Sequence, residues 1–324
     1  MINAKFSKYA WAVLFYNLGV ILWGAYVRAT GSGAGCGSHW PLCNGEVVPR
    51  TPQADTIIEF VHRLTSGLAL ILVVVLILWA FRIFPKAHQV RLGASMSMFF
   101  MITEALVGAG LVLFQWVAHD VSTGRVISIS VHLVNTFLLL ASLTMTAWWA
   151  SGGNPITVRG RGIVLWAFAL GFLGVMVIGV TGAITALGDT LFPAGSLSEG
   201  IRQDFSSTAH ILVRLRVWHP IIAIGVGFYL LFLAGVMGLA SDHPPLKRNA
   251  VIVIALVFVQ WLAGLVNVLM LAPVWMQLVH LLLADIVWIS WVLLAANVFG
   301  QGAQKVTGEE PVVPVNSGVM YVEP

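Results

Sequence analysis

Apolar residues in this chain fall into eight long runs separated by short polar clusters. The runs lie at about 9–28, 59–81, 92–113, 127–150, 162–186, 217–239, 250–270 and 275–299. Each is close to the roughly 20 residues that a helix needs to cross a bilayer, so the pattern predicts an all-α membrane protein of eight transmembrane helices. The second run is unusual at its start. In "DTIIEFVHRLTSGLALILVVVLILWAF", Glu59, His62 and Arg63 fall within five positions, and no further charge follows until Arg82. Ionisable groups at the edge of a membrane helix need water, a partner or a function.

Composition agrees with the pattern. The chain is 59% hydrophobic and 9% charged, far from the roughly 25% charged residues of a soluble domain. Its pI of about 9.3 does not indicate a nucleic-acid partner, because the 17 Lys and Arg are scattered singly between apolar runs. They fit topology better. With a cytoplasmic N-terminus, Lys5 and Lys8, then Arg82, Lys86 and Arg91, then Arg159 and Arg161, then Lys247 and Arg248, and finally Lys305 all fall on the inner side. Arg28, Arg50, Arg63, Arg125, Arg202, Arg214 and Arg216 fall on the outer side, against the rule. The first run is too long for a signal peptide and reads as retained. The segment 301–324 lacks periodicity and reads as a disordered cytoplasmic tail.

Two cysteines, Cys36 and Cys43, lie in the first outer loop as "CGSHWPLC". In an oxidising compartment a disulfide between them persists. Free thiols, or a metal pair with His39, are the alternatives, although these groups are too few for a closed zinc site.

The chain also repeats itself. "LGVILWGAYVRATGSG" from Leu18 resembles "LGVMVIGVTGAITALGD" from Leu173, and "EALVGAGLVL" from Glu104 resembles "QWLAGLVNVL" from Gln260. "VHLVNTFLLL" from Val131 resembles "VHLLLADIVW" from Val279, and His62 falls on His219. Four matches in one order predict two four-helix bundles related by a pseudo-twofold axis along the membrane normal. The expected division is an N-terminal half at 1–155, a C-terminal half at 156–300 and the tail.

His62, His132, His219 and His280 each lie near the outer start of an even-numbered run, two per half; the other five histidines fall in or beside loops and read as surface residues. Facing helices can clamp a porphyrin between two axial histidines. Nearby glycines, Gly67, Gly108 and Gly110 in one half and Gly225, Gly227 and Gly264 in the other, would admit a flat macrocycle. Arg63, Arg214 and Arg216 stand where propionates would emerge. The halves differ at one position: Glu59 precedes His62 by three residues, and Arg216 precedes His219 by three. Glu59 can act on a group bound at His62 or pair with Arg63 at i+4. Glu104 and Asp285 are further ionisable groups inside runs; Asp285, about 140° around the helix from His280, is expected to point away from the ligand face.

Together, "GAYVRATGSGAGCGSHWPLCNG", "EFVHRLTSG", "VHLVNT", "WHPIIA" and "QLVHLLLAD" resemble the heme A synthase family. The resemblance implies oxidation of the C8 methyl of heme O to a formyl group, giving heme A for terminal oxidases. It implies His62 and His132 as ligands of the substrate heme, His219 and His280 as ligands of the iron of a resident heme b, and Glu59 as the catalytic carboxylate. It also implies a cell-membrane enzyme with outward-facing sites, supplied by a heme O synthase and served by an electron acceptor or donor. Some members of this family carry a second cysteine pair in the outer loop of the second half; this chain has none, so packing alone is expected to hold that loop. The competing reading is a bis-histidine di-heme electron-transfer cytochrome. A parallel-repeat transporter would want polar broken helices near the midplane, and these are scarce.

Overall fold

In the computed structural model the described residues are 3–50, 52–239 and 241–300, and the expected tail lies outside them. They contain eight helices long and apolar enough to cross a membrane. These begin with α1 (Ala4–Ala29), α2 (Ala54–Ile83), α3 (Gln89–Leu113), α4 (Thr123–Ala150) and α5 (Gly162–Leu191). Two short helices follow, α6 (Leu197–Asp204) and α7 (Ile211–Leu215), then α8 (Trp218–Ala234), α9 (Pro244–Leu269) and α10 (Val274–Gly300). The sixth span is composite, Ile211–Leu239, made of α7, α8 and a π turn.

Several helices start earlier than their apolar runs because polar first turns supply caps. Ser122 caps α4 by accepting from the Arg125 N–H at 3.2 Å, and Asn3 caps α1 by accepting from Phe6 at 3.1 Å. The break between α7 and α8 has a local cause. Pro220 has no N–H to give to the carbonyl of Arg216, and the chain makes a tighter bond there, His219 N–H to Arg216 O at 3.3 Å.

α1 to α4 pack as a ring, each against the next and α4 against α1; α5, α8, α9 and α10 repeat that order. Between the rings, α1 and α4 face α5 and α10, and all four pairings are made. The contact set is unchanged when the rings are exchanged. α10 is the central element, with half of its apolar window buried against a third or less in the other spans. Trp288 stacks on Phe137 at 4.9 Å between ring centres and donates from Nε1 to the Phe137 carbonyl at 2.7 Å, fastening α10 to α4. On the cysteine-loop side, Arg28 of α1 donates to Ala186 O and Thr190 Oγ1 of α5 at 2.8 and 3.0 Å and to Gln277 Oε1 of α10 at 2.9 Å.

Candidate functional site

The four histidines of the even-numbered spans share one arrangement. Each lies against a glycine of the span before it in its ring, at distances a β-carbon would make uncomfortable in three cases. A β-carbon on Gly24 would stand 2.9 Å from His62 Cε1, on Gly182 2.9 Å from His219 Cε1, and on Gly264 3.1 Å from His280 Cε1. The fourth contact is looser: a β-carbon on Gly108 would be 3.8 Å from His132 Nε2. Sequence reasoning found Gly108 and Gly264 and missed the other two. It also set Gly24 on Gly179, whereas the shared contact makes Gly182 its counterpart, one helical turn further on; Gly179 packs on Phe137 and Leu133. The missed signal was a Gly-Ala pair in both copies, Gly24-Ala25 and Gly182-Ala183. Gly67 and Gly225 have open space beside them, and Gly227 packs on Trp261.

His219 and His280 face each other with ring centres 6.3 Å apart and planes at 89°. Imidazole nitrogens bind first-row metals at about 2.0–2.1 Å, and a ring centre lies about 1.1 Å behind its nitrogen, so two rings sharing one metal have centres roughly 6.3 Å apart. The spacing fits a metal held between them. Thr181 Oγ1 lies 3.2 Å from His219 Nδ1; the Nδ1 atoms of His62, His132 and His280 are buried without an aligned partner. Among the described residues no three His, Cys, Asp or Glu side chains converge. A donor set of paired imidazoles suits a macrocycle that brings its own equatorial ligands.

Cys36 and Cys43 are joined in a disulfide, as expected. Their loop is fastened onto α2. Ser32 donates to Asp55 at 2.9 Å, Thr56 donates to the Gly35 carbonyl at 2.8 Å, and the Cys36 N–H donates to Glu59 Oε2 at 2.8 Å. Arg63 donates to Glu59 Oε1 from Nε at 3.1 Å and Nη2 at 2.5 Å, and from Nη1 to the carbonyls of His39 and Leu42, both at 2.6 Å. Glu59 is 3% exposed. The i+4 pairing with Arg63 and the position one turn from His62 are therefore both present.

Arg216 does the same for the other ring with the charge reversed. It reaches Asp189 at 2.9 Å and Asp204 at 2.8 and 2.9 Å, joining α5 and α6 to the start of the sixth span. Packing alone does not hold that loop, contrary to expectation. Arg63 and Arg216 are both committed to loop carbonyls and carboxylates, so neither is a free fork for a propionate; Arg214 is exposed. Of the five loop histidines, His88 and His210 accept through Nδ1 from Val90 and Leu212 and cap helices. Asp285 is fully buried with neither oxygen partnered.

An all-helical membrane protein of eight spans, with a histidine on each even-numbered span and His219 set against His280, is thereby defined. Residues 7–292 match the COX15-CtaA family model, described as cytochrome oxidase assembly protein; the chain belongs to this, the heme A synthase family. It is 53% identical over 303 residues to proteins of two Thermus thermophilus strains named protoheme IX farnesyltransferase, covering 94% of this chain and 50% of each relative. The chain thus spans half the length of those relatives. A heme A synthase of Geobacillus kaustophilus is 33% identical over 175 residues, covering 52% of this chain and 55% of that protein.

Proposed function

We propose that the chain oxidises the C8 methyl group of heme O to a formyl group, giving heme A: the methyl group and one water become the formyl group with loss of four protons and four electrons, the electrons leaving to an external acceptor. In this reading His62 and His132 hold the substrate, and His219 and His280 hold a resident heme b, which supplies a reversible one-electron couple. The observation that carries it is an asymmetry between otherwise repeated sites. Only the first pair has a buried carboxylate one turn from a histidine, under a loop closed by a disulfide. Passing electrons between two unchanged hemes needs neither feature.

Glu59 is placed to act in two ways. Its negative charge, held in a site largely shut off from water, stabilises positive charge developing on the substrate edge. Oε1 already accepts two N–H bonds from Arg63, whereas Oε2 accepts one, from Cys36. A carboxylate oxygen has two lone-pair sites, so Oε2 is the atom that would take a proton from the substrate. Arg63 and the Cys36 N–H hold the carboxylate in place.

The same reading puts the cysteine loop and both histidine pairs toward the outer face of the cell membrane, with the chain's inner loops on the cytoplasmic side. A heme O synthase supplies the substrate. The Thermus relatives support that partnership: they are named for a farnesyl transfer to protoheme, and half their length lies outside the segment shared with this chain.

Pigment extraction tests the proposal. Membranes of cells that make heme O, but have no heme A-forming enzyme of their own, should yield heme A once the chain is expressed. Unchanged heme O beside a new bis-histidine spectrum would instead support the di-heme electron-transfer cytochrome.

A further inference from the structure

The two rings differ at a second position, away from the loops. In the first ring, Glu104 of α3 lies one turn before Gly108, the glycine beside His132. Its Oε1 is 3.0 Å from His132 Nδ1, a close charge contact outside hydrogen-bond alignment. The same oxygen accepts from Thr136 Oγ1 at 2.5 Å, and Oε2 accepts from Asn135 Nδ2 at 2.5 Å. Asn135 is itself oriented, donating to the Phe100 carbonyl at 2.9 Å and accepting from Thr103 at 2.6 Å. Both hydrogen-bonding neighbours, Thr136 and Asn135, donate to this carboxylate, an arrangement that suits an anion.

In the second ring the residue one turn before Gly264 is Gln260. It donates from Nε2 to the His280 carbonyl at 3.1 Å, and the same atom stands 3.5 Å from His280 Nε2. His280 Nδ1, like His132 Nδ1, is buried without an aligned hydrogen bond, as is Gln260 Oε1. Where the first ring puts a carboxylate 3.0 Å from Nδ1 of an imidazole, the second brings a neutral amide nitrogen 3.5 Å from Nε2.

We infer that Glu104 is a positioning residue that makes His132 a stronger electron donor than His280, and that Gln260 withholds this effect from the second site. A negative charge held against one edge of an imidazole stabilises positive charge on the ring and strengthens it as an electron donor. A more basic axial ligand favours the oxidised state of the iron it binds. The site at His62 and His132 therefore holds its heme at a lower reduction potential than the site at His219 and His280. This inference rests on the histidine pairs being axial ligands, as proposed above.

The test is a redox titration of the purified protein from cells supplying heme O, followed through visible absorption and by the electron paramagnetic resonance of the ferric hemes. Glu104→Gln should raise the midpoint of the first-site heme and leave that of heme b in place. Gln260→Glu should lower the heme b midpoint and leave the first site in place. Unmoved midpoints in Glu104→Gln would overturn the inference. If Glu104→Gln fails to fold, Gln260→Glu decides alone, and an unshifted heme b midpoint overturns it. If the wild-type protein carries no bis-histidine heme, the ligand assignment itself falls and this inference with it.

Discussion

A glycine beside three of the four histidines lets an imidazole approach the neighbouring helix backbone more closely than a β-carbon would comfortably allow, and that contact tests the proposed sites residue by residue. Gly182→Val should push the His219 ring from its place and lower the heme b content of purified protein well below wild type, because the displaced atom is a ring carbon 2.9 Å from the new β-carbon. Gly225→Ala, on the same ring but with open space, should retain full heme and gain up to about 1 kcal/mol of helix propensity. Equal heme loss in both variants would mean that the glycines matter for general packing. At this scale the histidines were legible because ionisable groups stand out in apolar runs. Gly24 and Gly182 were not, since a small residue in a membrane helix has many ordinary uses and only the distance to a side chain on another helix singles one out. The full burial of Asp285 was not legible for a related reason: the angle from His280 on an ideal helix says where a side chain points, not what lies there.

The first outer loop of each ring is tied to the start of an even-numbered span by the residue three positions before its histidine. Glu59 holds the cysteine loop through the Cys36 N–H and Arg63; Arg216 holds the other loop through Asp189 and Asp204. One tie is supplemented by a covalent bond and the other is not. Thiol labelling of the unreduced protein should find neither Cys36 nor Cys43 reactive, and stoichiometric labelling of both would count against the disulfide. Arg216→Ala strands two carboxylates. Removing one partner of a fully buried pair costs about 3–5 kcal/mol; the two aspartate side chains here are 21% and 22% exposed, so a loss of about 2–3 kcal/mol is expected. It should register as a lower thermal midpoint in detergent, whereas an unchanged midpoint would reduce the clasp to a surface contact. The disulfide was readable from two cysteines in one loop. The clasp was not, because Asp189, Asp204 and Arg216 come from separate elements with no local motif, and the arginines had an apparent use as propionate partners.

On the scale of the molecule, hydrophobic run length was enough to give eight spans, and four ordered matches between the chain's two parts anticipated the repeated packing order. The centrality of α10 was not readable, since its composition differs little from the other spans and only the Trp288 and Arg28 contacts reveal what surrounds it. Repetition makes the departures from it informative: a carboxylate and a disulfide loop by one histidine, and a charged Glu104 beside His132 where a neutral Gln260 stands beside His280. The proposed chemistry belongs to the first pair. The most direct measurement is the ratio of heme A to heme O in membranes holding equal amounts of wild type and Glu59→Gln, with heme b content as the check on folding. Gln keeps the size of Glu but not its charge, and loss of a well-placed electrostatic group costs about 10²–10³ in rate. The account predicts that conversion to heme A is nearly abolished while heme b is retained. Near-normal conversion with retained heme b would contradict it, leaving Glu59 as a tie for the cysteine loop and nothing more.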